Sequence, residues 1–313
     1  MTAPLTPEEL RTHALMLYES KQYAEALAYV TREGPRFPEL MPRTRSFQVA
    51  MAALTDQVEL AIQFLQIAID EGQWYTERFL RNPDLAALQG NEAFERMVAT
   101  CNERYEAARA AAKPLLLTER PERLEAPAPL LLVMHGNNGN GPDTLVEWRP
   151  ATQEGLLLAV AQSTQVEGPG RYVWNEEAAT TREMIQHVAD LGAAEQPDLD
   201  RLVLGGFSMG GGEAVRLAVT GLVAARGFIV VAPFFRDLPG LKEQIGRLGP
   251  GSLRGYIITG DKDFSYKAAL ELAAALREAG IPCEVEDHPG LGHTLPAAFG
   301  ESLKRGLAFV LQR

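Results

Sequence analysis

The 313-residue chain has few of the residues that build disulfide scaffolds and metal centres. It contains two cysteines, Cys101 and Cys283, and five histidines. The two thiols lie far apart in sequence and lack the spacing of metal ligands, so we expect both to be reduced and predict no metal site.

Long apolar runs and an excess of positive charge are also missing. No uninterrupted apolar segment reaches the length that spans a bilayer, and the N-terminus has no basic segment followed by an apolar core. The formal net charge is −11, which disfavours nucleic acid and anionic membrane surfaces as general partners. We therefore expect a cytoplasmic protein whose charge serves solubility.

What is present divides into two regions of different pattern. Region 1–113 is predicted to be all-helical, because apolar residues recur at three- and four-residue steps and β-branched runs are scarce. Residues 6–9 form a good helix start, and a turn at 21–22 leads into the next helix. Further helices are predicted at 82–88 and 91–97, followed by a final helix that ends near residue 112.

The helical region resembles two degenerate tetratricopeptide repeats. The sequence around Ala26 returns around Ala61, 35 residues later, which is close to the tetratricopeptide period of about 34 residues. The tryptophan and glycine typical of the first helix of that repeat are absent. Two interpretations remain open: a docking groove for a peptide, a protein partner or a second copy of the chain, and a helical appendage that shapes the mouth of an enzyme.

Region 114–313, which follows a proline-containing stretch at 120–129, alternates short apolar runs with helical patterns. This alternation predicts an α/β fold with a mostly parallel, doubly wound sheet. Strands are predicted at 129–134, 156–161, 201–204, 227–232, 256–259 and 283–286, and helices at 144–153, 176–191, 213–218, 266–279 and 295–311.

The most informative segment is 206–210, Gly-Phe-Ser-Met-Gly, which lies between a predicted strand and a predicted helix. A serine at such a sharp corner exposes its hydroxyl above the sheet, and the helix N-terminus that follows stabilises an anion. The alternative is a glycine-rich phosphate-binding turn. It is weak, because no G-x-G-x-x-G follows the strand and no lysine follows the glycines.

A serine nucleophile needs a base, and the base needs a carboxylate. His293 precedes the last predicted helix and is our candidate base, with His288 as the alternative. Asp261 and Asp263 both follow the strand at 256–259, and either one can supply the acid. No cysteine or carboxylate completes metal-ligand spacing around the two histidines.

The segments 134–137, 206–211, 260–263 and 289–293 resemble the motifs of α/β-hydrolases. The similarity covers residues 114–313 and is closest to the esterase branch that holds phospholipase/carboxylesterase, dienelactone hydrolase and polyhydroxybutyrate depolymerase-like proteins. It implies Ser208 as nucleophile, Asp263 as acid and His293 as base, in the family's chain order. Residues 264–265 depart from the family pattern, which leaves room for Asp261. Only about twenty residues, 236–255, occupy the position of the large inserted cap of many relatives.

The same resemblance implies an oxyanion hole. Its donors are expected to be the backbone N–H groups of Met209, directly after the nucleophile, and of Asn137, in the loop after the strand at 129–134. We expect His135 to support that loop. With Tyr172 and Trp174 it is also a candidate substrate-binding residue, although the two aromatic residues are equally compatible with packing.

These observations predict a serine esterase that acts on a small-molecule ester through an acyl-enzyme, with neither metal nor cofactor. A serine peptidase of the same fold is the alternative within the enzyme class. From a different class, the alternative is a tetratricopeptide adaptor whose hydrolase-like domain mainly binds a partner.

Overall fold

The computed structural model describes residues 5–121 and 127–312. They form two compact units: residues up to Ala111 together with Glu167–Pro169, and Ala112–Val166 together with the chain from Gly170 onward. The proline-containing stretch at 120–129 that we expected between the regions lies partly outside the described residues, because 122–126 are not among them.

The first unit is helical, and its consecutive helices α1 to α4 pack against one another in chain order. A capping box starts α1, in which the Thr6 hydroxyl accepts from the Glu9 N–H and the Glu9 carboxylate accepts from the Thr6 N–H. Ala26 and Ala61 are both fully buried. The helices are α1 (Pro7–Glu19), α2 (Tyr23–Glu33), α3 (Met41–Leu54), α4 (Val58–Asp70), α5 (Glu77–Leu80) and α6 (Glu92–Ala111), with 3₁₀ turns at Gly34–Arg36, Pro38–Leu40 and Pro83–Leu88.

Two predictions for this unit need correction. The helix predicted at 82–88 is a 3₁₀ segment, in which Leu85 leaves helical geometry. The helix predicted at 91–97 is the first part of α6, which continues without a break because its sequence contains neither glycine nor proline. The tetratricopeptide resemblance and the docking role stay predictions.

The second unit is built on a seven-stranded sheet in the order β1-β3-β2-β6-β7-β8-β9. A separate two-stranded hairpin, β4-β5, includes residues 167–168, which group with the first unit. The strands are β1 (Leu115–Glu119), β2 (Pro129–Met134), β3 (Leu157–Gln162), β4 (Gln165–Gly168), β5 (Arg171–Val173), β6 (Asp198–Phe207), β7 (Gly227–Val231), β8 (Arg254–Gly260) and β9 (Cys283–His288). Its helices are α7 (Gly141–Trp148), α8 (Pro150–Gln153), α9 (Glu177–Ala194), α10 (Ser208–Thr220), α11 (Leu238–Ile245), α12 (Tyr266–Glu278) and α13 (Phe299–Val310).

The mostly parallel α/β architecture predicted from the sequence is confirmed. All neighbouring strands of the large sheet are parallel except β1, which pairs antiparallel with β3 at the edge. Alternate residues of β2 belong to different apolar clusters, Leu130 and Leu132 to one and Leu131 and Val133 to the other. The sheet is therefore covered on both faces, which explains why its strands read as continuous apolar runs.

Several elements were not predicted. The edge strand β1 and the hairpin β4-β5 lack long apolar runs. The β1 side chains are exposed or half-buried, and in the hairpin Val166 and Val173 are buried while the other side chains are half-buried. The helix predicted at 144–153 is two helices, and it starts earlier because Asn140 caps α7 with a proline at its first turn. In the described chain, the connection between β7 and β8 holds only the short helix α11, so no large cap is inserted there.

The topology brings the loops after β2, β6, β8 and β9 to one edge. Met134 lies beside Gly206, and Gly260 beside His288, at the carboxyl ends of neighbouring parallel strands. Such an edge is where ligands bind in open α/β sheets. Among residues 5–121 and 127–312, none of the helices is both long enough and apolar enough to cross a membrane.

Candidate active site

Ser208 sits on a strained corner between β6 and α10. Its φ is 53°, in the left-handed region that a residue with a side chain adopts only at a cost of about 1–3 kcal/mol. Two glycines make the corner fit. A Cβ on Gly210 would lie 2.3 Å from the carbonyl oxygens of Met134 and His135, and one on Gly206 would lie 2.5 Å from the carbonyl carbon of Gly210. The corner is therefore pressed against the end of β2.

A chain of hydrogen bonds leads away from the serine. His293 Nε2 is 2.8 Å from Ser208 Oγ, and His293 Nδ1 is 2.8 Å from Asp263 Oδ2. A carboxylate only accepts, so Nδ1 carries the proton and Nε2 accepts from the serine hydroxyl. This is the arrangement in which a histidine removes the proton of a serine.

Asp263 is held by a second set of donors. Its Oδ1 accepts from the Ser265 N–H at 2.6 Å and from the Ser265 hydroxyl at 2.8 Å. Burial raises the pKa of Asp263, but the hydrogen bonds from His293 and Ser265 outweigh it and bring the pKa below 3.8. The carboxylate is therefore ionised at neutral pH. Sequence reasoning missed Ser265, although its place two residues after an aspartate is a known turn signal.

The structure does not bring the alternative acid or base to the serine. The exposed Asp261 accepts from the Gly290 N–H at 2.6 Å. This hydrogen bond holds the loop that carries His293 in place. His288 Nε2 is 2.8 Å from Glu286 Oε1. Asp261 and His288 therefore form hydrogen bonds with segments next to the site.

The two expected oxyanion donors lie in the loop after β2 and in the first turn of α10, and their role stays a prediction. Gly139 N–H donates to Gly136 O at 3.0 Å, which closes a turn around Asn137 and Asn138, and Asn138 has a φ of 57°. Met209 lies in the first turn of α10, where N–H groups have no acceptor within the helix. The contact of Gly210 with the end of β2 keeps these two segments adjacent.

The three predicted substrate-binding residues all contact this loop. His135 Nδ1 lies 2.8 Å from Gly136 O, Ser163 N–H donates to Nε2 at 3.3 Å, and burial lowers the pKa of His135 to about 4. The Trp174 ring stacks on His135 at 4.7 Å, and its Nε1–H donates to His135 O at 2.9 Å. Tyr172 N–H donates to Gly139 O at 2.9 Å.

His135, Trp174 and Tyr172 differ in how deeply their side chains are buried. His135 and Trp174 are fully buried. A substrate-binding role does not fit these two side chains, because they have no surface for a ligand to touch. The Tyr172 side chain is half-buried, and its role toward a substrate stays a prediction.

Arg236, which no sequence motif singles out, connects three segments beside the site by hydrogen bonds. Its guanidinium donates to Trp174 O at 2.5 Å, to Asn175 Oδ1 and Glu213 Oε1 at 3.2 Å. Arg216 donates to the same Glu213 carboxylate. Burial raises the pKa of Glu213 more than the two guanidiniums lower it.

Across the part of the chain that the structure describes, no group of three or more His, Cys, Asp or Glu residues is arranged to hold a metal ion.

Comparisons with known proteins found similarities for both units. The family described as "A/B hydrolase-like, N-terminal domain" matches residues 6–109, about a third of the chain. No protein of curated function matches the sequence. An uncharacterized protein from Bacillus cereus ATCC 10987 has a similar structure, at 24% identity over 98% of this chain and 99% of that one, with a TM-score of 0.56.

Two esterases are similar to about two thirds of the chain. The Bacillus cereus carboxylesterase is 18% identical over 66% of this chain and 99% of its own, with a TM-score of 0.53. The esterase Est2 of the planctomycete Thermogutta terrifontis is 15% identical over 64% of this chain and 88% of its own, with a TM-score of 0.52. With the sheet order and the strand-corner-helix at Ser208, these similarities show that the chain contains the α/β-hydrolase fold, preceded by a helical region that matches the N-terminal domain of hydrolase-like proteins.

Proposed function

We propose that this protein is a serine hydrolase that cleaves carboxylic esters through an acyl-enzyme. The observation that carries the proposal is the hydrogen-bonded chain from Ser208 Oγ through His293 to the buried Asp263 carboxylate, with 2.8 Å at each link. A serine hydroxyl is a poor nucleophile at neutral pH, and this chain supplies the base and the charge that activate it.

In the first half-reaction, Ser208 Oγ attacks the ester carbonyl carbon while His293 Nε2 takes the hydroxyl proton. The carbonyl oxygen becomes an oxyanion, which accepts hydrogen bonds from the N–H groups of Met209 and Asn137. Each such donor contributes about 3 kcal/mol to the transition state. The ionised Asp263 stabilises the imidazolium. The intermediate collapses when the bond to the alcohol oxygen breaks and Nε2 returns the proton to that oxygen.

The second half-reaction repeats these steps with water. His293 Nε2 takes a proton from a water molecule, whose oxygen attacks the acyl carbon. The second tetrahedral intermediate expels Ser208 Oγ, which recovers its proton from Nε2. The products are one alcohol and one carboxylic acid, and the reaction uses only residues of this chain and water.

The choice of esters over amides is supported by the fold shared with the carboxylesterase of Bacillus cereus and with Est2 of Thermogutta terrifontis. A peptidase of the same fold would use the same three side chains. Turnover of p-nitrophenyl acetate and butyrate, compared with aminoacyl-p-nitroanilides, separates the two. We expect hydrolysis of the esters, and faster turnover of the anilides would assign the peptidase activity instead.

A fluorophosphonate probe tests the nucleophile directly. It should label the full-length protein at one site and leave Ser208→Ala unlabelled. Ser252 is an exposed serine in the same unit, so Ser252→Ala is the matched control and should label like the wild type. Equal labelling of Ser208→Ala would refute the assignment. Absence of labelling and of turnover in the wild type would favour the adaptor interpretation.

A further inference from the structure

Two phenylalanines are exposed beside the candidate triad. Phe264 is 70% exposed and Phe234 is 39% exposed, and their ring centroids are 6.4 Å apart. Single exposed apolar side chains are common, but two large aromatic rings in contact beside a triad form an apolar surface that is a candidate for ligand binding. We refer to these two rings as the aromatic pair.

The backbone of the aromatic pair is held by the reacting residues themselves. Phe264 directly follows Asp263, and its ring centroid lies 4.3 Å from that of the His293 imidazole. Phe234 N–H donates to Ser208 O at 2.9 Å. A Cβ on Gly212 would lie 1.9 Å from Phe234 O, so α10 packs directly on this loop. The position of each ring is thus tied to the nucleophile and the base.

The direction of proton transfer determines which portion of the ester contacts the aromatic pair. His293 Nε2 must return its proton to the alcohol oxygen, so the alcohol portion of an ester lies next to the imidazole during that step. Phe264 covers this imidazole and extends into solvent. Phe207 lies 5.0 Å from the same imidazole, but it is the last residue of β6 and packs against the apolar core, so it is less accessible than Phe264.

We propose that Phe264, together with Phe234, is a specificity-determining surface that binds an apolar, ring-bearing alcohol group of the ester. The inference rests on the proposed function. Contact with a ring removes apolar surface of both partners from water and adds the attraction between aromatic rings, which together raise kcat/KM roughly tenfold or more for a substrate that reaches the pair. An ester whose alcohol is too short to reach Phe264 gains nothing from it.

The test uses the full-length protein and three esters: ethyl acetate, benzyl acetate, and ethyl phenylacetate, which carries its ring on the acyl side. For Phe264→Ala we expect kcat/KM to fall at least tenfold with benzyl acetate and less than threefold with the other two. Phe264→Leu keeps an apolar side chain and should recover part of the loss. Phe234→Ala should show the same selectivity with a smaller loss. Ile185, 47% exposed on α9, provides Ile185→Ala as the control, which should leave all three values unchanged.

An equal loss of kcat for all three esters would mean that Phe264 acts only by holding His293, and would overturn the proposal. A loss confined to ethyl phenylacetate would place the pair on the acyl side and would overturn it as well, as would no loss at all. These outcomes are distinct from failure of the proposed function, in which the wild type would hydrolyse none of the esters and would not react with a fluorophosphonate. Thermal unfolding of each variant is the check that its fold is retained.

Discussion

The substitution Asp263→Asn examines the triad more closely than removal of the serine, because the structure determines how the new amide must lie. Asp263 Oδ1 accepts two donors from Ser265, at 2.6 and 2.8 Å. An asparagine must therefore keep its carbonyl oxygen toward Ser265. Its NH₂ group then takes the position of Oδ2 and faces His293 Nδ1, from which Oδ2 is 2.8 Å away in the wild type.

This orientation gives the histidine the wrong tautomer. An NH₂ group donates, so Nδ1 must accept and the proton moves to Nε2, which can then no longer take the proton of Ser208. The opposite orientation would leave the two Ser265 donors unpaired, at about 1–3 kcal/mol each. The active arrangement should therefore be populated about 30-fold to 10⁴-fold less than the inactive one, since 1.4 kcal/mol is about a factor of ten.

We accordingly expect kcat to fall between about 30-fold and 10⁴-fold, with little change in KM; the upper end corresponds to the loss known for this kind of change. The assay is hydrolysis of p-nitrophenyl acetate between pH 6 and 9, with thermal unfolding as a check of the fold. Asp261→Asn is the matched control. Its new carbonyl still accepts from the Gly290 N–H, so activity should stay within about threefold. An Asp263→Asn protein within fivefold of the wild type, or a large loss in Asp261→Asn, would refute the reasoning.

Three further predictions concern the frame of the site. Gly210→Ala places a Cβ 2.3 Å from two carbonyl oxygens and should lower the free energy of unfolding by about 3 kcal/mol or abolish folding. Gly249→Ala, where a Cβ meets nothing within 4 Å, is its control; equal urea midpoints for the two variants would contradict the packing argument. Trp174→Phe leaves His135 O without its indole donor and should cost about 1–3 kcal/mol in urea unfolding, with a reduced kcat; unchanged values would show that the loop after β2 does not need the bond. Burial raises the pKa of Glu286, but hydrogen bonds from Arg305, Ser302 and Tyr256 prevail and bring it to about 2. A lowered pKa stabilises the fold above the ordinary value of 4.5, and this contribution is lost as pH falls from about 4.5 toward 2. Glu286→Gln should therefore cost about 1 kcal/mol at pH 7, after allowance for screening at the exposed Arg305, and progressively less in urea titrations at pH 4 and pH 3; a constant difference would argue against the ion pair.

Much of the second unit could be predicted because its strands are buried on both faces. The apolar run of β2 coincides with the predicted strand at 129–134, and the corner at Ser208 was visible as a glycine pattern between a strand and a helix. Elements without such a signature were missed. β1 lies at an edge of the large sheet with exposed or half-buried side chains, and β4 and β5 are only four and three residues long, so hydrophobic periodicity gives little signal there.

The order of the candidate residues along the chain could be predicted, but spacing alone did not distinguish the two neighbouring aspartates, and the choice of Asp263 rested on the family resemblance. Asp261 and Asp263 are both acidic residues that follow the same strand, and only the turn at Ser265 and the position of His293 distinguish the buried carboxylate from the exposed one. Trp174 illustrates the same limit. An aromatic residue in a loop is compatible with a pocket wall or a packing role, and its complete burial decides for packing.

By itself, then, the sequence determined the alternation of strands and helices, the strand-corner-helix at Ser208 and a short list of acids and bases at the carboxyl ends of strands. These properties depend on local periodicity and on glycine spacing, which are present in the chain before it folds. Only the tertiary structure showed which histidine contacts Ser208, which aspartate contacts that histidine, and that His135 and Trp174 support a loop. It also placed Phe264 over His293. Such relations join residues up to 85 positions apart, such as Ser208 and His293, and depend on the register of neighbouring strands, which local sequence does not encode.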